Sequence, residues 1–131
     1  MGQISSRLVA QRMRNRIIEV LSDLAEGDSY IETVGVSAWF NIFFDFMPLH
    51  DEEPLENSAM TEAEIRAVSS LRELMVQACE QTPPMVTEEQ LLATSWPKNV
   101  QSCAADALAI MRVRGKFSED FDEDTPSIPI G

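Results

Sequence analysis

Apolar residues recur along most of the chain at the three-and-four spacing of an amphipathic helix, where side chains so separated share a face. From Ser6 to Glu26, Val9, Met13, Ile17, Val20, Leu21 and Leu24 fall on one face. Gln11, Arg12, Asn15, Arg16, Glu19, Asp23 and Glu26 fall on the other, and Gly27 supplies a stop. A second run, Tyr30 to Met47, is apolar around most of its circumference. Trp39, Phe43 and Phe46 form one stripe, Phe40, Phe44 and Met47 its neighbour, and Ser37, Asn41 and Asp45 the polar side. A helix of this kind needs burial on two sides, either at the centre of the fold or in a homodimer interface. Residues 36–46 also fit a strand, with Ala38, Phe40, Ile42, Phe44 and Phe46 on one face, because aromatic and β-branched residues favour strands. The four-residue spacing of the polar positions favours the helix.

Pro48 closes that run, and residues 48–60 read as an acidic loop with two prolines. Thr61 and Glu64 then have the spacing of a capping box, in which each side chain satisfies the other's free backbone N–H. Ile65, Val68, Leu71, Leu74, Met75, Ala78 and Cys79 make the inner face of the helix that follows, and Pro83-Pro84 ends the segment. Thr87 and Gln90 repeat the cap ahead of a short helix to about Thr94, and Ser95-Trp96-Pro97 opens a last helix to about Arg114. Its face of Val100, Cys103, Ala104, Ala107, Leu108 and Met111 contains small residues that permit close helix approach. Residues 118–131 hold five acids, two prolines and no helical period. The pattern therefore predicts an all-α fold: a compact bundle of four to five helices over residues 1–117, a central aromatic-rich helix, and a disordered, flexible acidic tail over residues 118–131.

Composition adds the charge. Across 131 residues, 22 acidic side chains face ten basic ones, a formal net charge of −12. That balance repels phosphate backbones, so nucleic acid is not an expected ligand, and it favours a basic partner protein. The sign is uneven. Residues 1–18 contain Arg7, Arg12, Arg14 and Arg16 and no acid, whereas from Glu19 onward the formal charge is −16. The two cysteines, Cys79 and Cys103, make neither a disulfide framework nor a metal-type spacing and read as small buried hydrophobes. They point to a reducing, cytoplasmic setting. No secretory leader and no membrane span are expected: arginines interrupt the N-terminal stretch, and the longest apolar run is too short.

Candidate chemistry is sparse. Met1-Gly2-Gln3-Ile4-Ser5-Ser6 fits the N-myristoylation pattern, with Gly2 as acceptor, and the arginines that follow could supply a second, electrostatic membrane signal. Over the first dozen residues this opening resembles that of retroviral matrix proteins, and the resemblance implies a small, helical, acylated, peripheral membrane domain. Such proteins are typically more basic than this chain. Asp120, Asp122 and Asp124 begin like a calcium loop, but Thr125 stands where the turn glycine is needed and the closing glutamate is missing. His50 is the sole histidine, so neither a metal site nor a nucleophile–base pair can be assembled from familiar parts. No catalytic residue, cofactor or metal is expected, although an enzyme without a recognisable motif remains a third reading. The aromatic mass of Tyr30, Trp39, Phe40, Phe43, Phe44, Phe46 and Trp96 exceeds what one small core obviously requires. Trp and Tyr are the aromatic residues most enriched at binding hot spots. The leading expectation is a non-enzymatic protein-binding module, with the physical profile of small acidic inhibitors such as immunity proteins. Its contacts are expected from Trp39, Phe43, Asp45, Asp51, Glu52, Glu53 and Trp96.

Overall fold

Six α-helices make up the regular structure of residues 4–45 and 56–130, which the computed structural model describes. They are α1 (Ser6–Leu24), α2 (Asp28–Val34), α3 (Val36–Asp45), α4 (Glu62–Gln81), α5 (Glu88–Leu92) and α6 (Trp96–Arg112). The fold is all-α, and among the described residues the only β pairing is an isolated antiparallel bridge between Lys116 and Ile128.

Local sequence explains most boundaries. Ser5 caps α1 by accepting a hydrogen bond from the Leu8 N–H at 3.0 Å. Both capping boxes form, Thr61 with Glu64 at the start of α4 and Thr87 with Gln90 at the start of α5. The aromatic-rich run is helical rather than extended, but it is two helices instead of one. Gly35 divides it at φ 87°, ψ 168°, a conformation essentially restricted to glycine.

The hub of the fold is α6, which packs against α1, α4 and α5. This corrects the expectation that the aromatic-rich helix is central. Ala104 and Ala107 are buried on α6 beside Val100 and Met111, and their small side chains let neighbouring helices come close. Bulky α3 instead fills one side of the core with Trp39, Phe40 and Phe43. Trp39 and Phe40 meet edge to face, with ring centroids 4.8 Å apart. Ser37, Asn41 and Asp45 are exposed, as the helical pattern requires.

The segment expected to be a disordered tail is instead docked. From Lys116 onward the chain runs back along α1, and Lys116 and Ile128 exchange backbone hydrogen bonds of 2.7 and 3.0 Å. The segment's acids and prolines do not leave it loose, because side chains of α1 bind its backbone. Gly115 makes the turn at φ 94°, and a Cβ there would stand 2.5 Å from the Ile128 carbonyl oxygen. Gly115→Ala should therefore cost about 1–3 kcal/mol through backbone strain and loosen residues 116–130. Urea denaturation, with amide exchange in the segment, checks this; a wild-type midpoint with unchanged protection would contradict it.

Candidate partner-binding surface

The first three turns of α1 depart from simple amphipathicity. Val9, expected inside, is 50% exposed, whereas Gln11, Arg14 and Asn15 are buried. Their burial follows from the docked C-terminal segment, whose main chain uses their hydrogen-bonding groups. Gln11 Nε2 donates to the Ser118 and Phe121 carbonyls, both at 2.9 Å, and Gln11 Oε1 accepts from the Glu123 N–H at 2.7 Å. Asn15 Nδ2 donates to the Phe117 carbonyl at 2.9 Å, and Asn15 Oδ1 accepts from the Phe117 N–H at 3.2 Å. Two amide side chains thus satisfy backbone groups that buried loops must otherwise leave unpaired.

The N-terminal arginines are engaged in the same way. Arg7 donates to the carbonyls of Ser58 and Glu123, and Arg12 donates twice to the Glu119 carbonyl. Arg16 pairs with Glu119 and Glu19. Arg14 is fully buried and forms a two-pronged pair with Glu64 at 3.1 and 2.9 Å, while its third nitrogen donates to the Gly115 carbonyl. Arg114 binds the same carboxylate at 3.0 and 2.8 Å and the Ala59 carbonyl at 2.7 Å. The Phe117 ring, itself fully buried, has the guanidinium carbons of Arg7, Arg14 and Arg114 within 5.0, 5.3 and 5.5 Å of its centroid. The arginines that read as an electrostatic membrane signal are engaged within the chain.

What remains at the second half of α1 is acidic. Glu19 and Asp23 lie on α1 and Glu26 in the turn after it, and the helix has no basic residue in its last turn, where its dipole is already negative. Burial, then the charges of Glu26 and Glu19, raise the Asp23 carboxyl above its ordinary range. Burial, then Asp23 and Glu26, likewise raise the Tyr30 hydroxyl. Asp28 and Glu32 extend the exposed acids onto α2. Along the flank of α1, a groove of about 290 Å³ opens between Glu19 and Asp23 on one side and Ile128, Pro129 and Ile130 on the other. A larger groove, about 700 Å³, follows the outer face of α4 and includes Arg66, Arg72 and Glu73.

Among the described residues, those expected to contact a partner do not share one exposed face. Trp39 and Phe43 are core residues, 1% and 0% exposed, packed in the main apolar cluster. Asp45 is exposed and Trp96 is half-buried at the start of α6. Gly2, His50, Asp51, Glu52 and Glu53 lie outside the described residues. Cys79, expected to be buried, is an exposed free thiol, and Cys103 is half-buried. Asp120, Asp122 and Asp124 are exposed, and among the described residues no three His, Cys, Asp or Glu side chains converge as metal ligands. Among the same residues no helix is long and apolar enough to cross a membrane. Comparison with known proteins finds no matching family model, no matching curated protein and no matching solved structure.

Glu64 gives this region a defined pH dependence. Burial pushes its carboxyl up, but the hydrogen bonds from Arg114, Arg14 and the Thr61 backbone, with the charge of Arg14, outweigh burial and bring it to about 2. A carboxyl depressed in the folded state stabilises the fold fully above its unfolded value of 4.5 and loses that contribution as the pH falls towards about 2. Glu64→Gln should cost about 3–5 kcal/mol at neutral pH, because Arg14 is then buried without its counter-charge. It should also flatten the acid limb of the stability profile. Denaturant titrations across that range would show a parallel wild-type and variant acid limb if the assignment were wrong.

Proposed function

We propose that the protein is a non-enzymatic binding module, of an inhibitor or immunity type, that takes a partner protein with a basic surface in the cytoplasm. The observation that supports this reading is the internal use of cations. Five of the ten basic side chains, Arg7, Arg12, Arg14, Arg16 and Arg114, are engaged with the chain's own carbonyls and carboxylates. Glu19 shares Arg16, but among the described residues half-buried Asp23 and exposed Glu26, Asp28 and Glu32 have no ion-pair partner. A surface of one sign accelerates encounter with the opposite sign and selects against like-charged competitors. The two free thiols accord with a reducing compartment.

The same engagement weighs against a membrane role based on the N-terminal arginines, since each is already bound. Affinity capture with the full-length protein, followed by association kinetics on the purified partner, tests the reading. The association rate constant should fall at least about tenfold from low to high salt. A captured partner of acidic surface, or a rate indifferent to salt, would refute it.

A further inference from the structure

The groove between the second half of α1 and the end of the C-terminal segment is amphipathic. Glu19 and Asp23 line one side, Ile128, Pro129 and Ile130 the other, and Lys116 also contributes. Ile128 is 46% exposed, so the apolar wall is presented to solvent rather than closed off. We propose that this groove docks a cationic amphipathic segment of the partner, with an Arg or Lys against Asp23 beside the Arg16-paired Glu19 and an apolar side chain on Ile128 and Pro129. This deepens the proposed binding function, on which it rests, by naming the surface.

Charge complementarity selects the occupant. Asp23 stands near the negative end of α1 between Glu19 and Glu26, so its ionised form is opposed by both neighbours and by the helix dipole. Arg16, the base nearest to it on the same helix, is held by Glu19 and Glu119. A cation from outside would relieve all three repulsions at once, and a guanidinium suits a carboxylate in two-pronged geometry. The larger groove on α4 has the opposite balance: Arg66 and Arg72 stand beside its one acid, Glu73, whereas the α1 groove sets Glu19 and Asp23 beside its one base, Lys116.

The test uses isotope-labelled full-length protein titrated at low salt with a synthetic amphipathic helix of leucine and lysine. Amide shifts should concentrate at residues 19–23, Lys116, Ile128 and Ile130. The pair Glu19→Gln with Asp23→Asn should weaken the peptide at least about tenfold, whereas Glu80→Gln with Asp106→Asn, equal in charge removed, should leave it nearly unchanged. Shifts centred on α4 or spread over every acid, or equal weakening by both pairs, would overturn the groove while leaving the acidic-surface reading intact. Complete absence of peptide binding would overturn both.

Discussion

Burying the guanidinium of Arg14 is tolerable because Glu64 lies against it, and that pairing fixes where α1, α4 and the end of α6 can sit. An unpaired buried charge is among the most costly features a small fold can carry. Arg14 comes from α1, Glu64 from the first turn of α4, and Arg114 from just beyond α6, and all three satisfy one another with short, directed hydrogen bonds. Apolar packing alone would allow these helices to slide or rotate. The ionic contact does not, because a displaced turn would leave a charge buried without its partner. Phe117 completes the arrangement by presenting an aromatic ring to the guanidiniums, and its own backbone is held by Asn15. The C-terminal segment is thus an integral part of the core's polar side.

Helix existence was legible in the sequence wherever two independent signals agreed. The capping pairs Thr61–Glu64 and Thr87–Gln90 stand at real helix starts, and the spacing of Val100, Ala104, Ala107 and Met111 marks the buried face of α6. Less legible was anything that depended on a distant partner. Glu64 reads as a capping residue, and nothing local shows that its carboxylate also receives two arginines from opposite ends of the chain. Gln11 and Asn15 read as solvent-facing because the backbone they serve lies more than a hundred residues away. Gly35 was the readable signal that the aromatic run would break, since a glycine inside a helical pattern weakens it. The aromatic residues misled for a related reason: with α6 lined by alanines, the core takes its volume from Trp39 and Phe43.

These corrections change what the surface can offer a partner. Most of the arginines hold down the C-terminal segment or sit in the core; Arg16 also pairs with Glu19, and Asp23 and Glu26 are left without a cation beside them among the described residues. The docked segment also supplies the apolar wall that faces two of those acids. Under the proposed docking, binding and folding would be linked. Whatever loosens residues 116–130 removes the wall of the groove while leaving its acidic side in place.

Residues 116–124 are structured by the polar side of α1. Amide hydrogen exchange of the full-length protein at neutral pH measures it directly. The Phe117 and Glu123 amides, which donate to Asn15 and Gln11, should exchange at least about a hundredfold more slowly than in an unstructured chain. Exchange of both at the rate of a free peptide, while α6 stays protected, would contradict it.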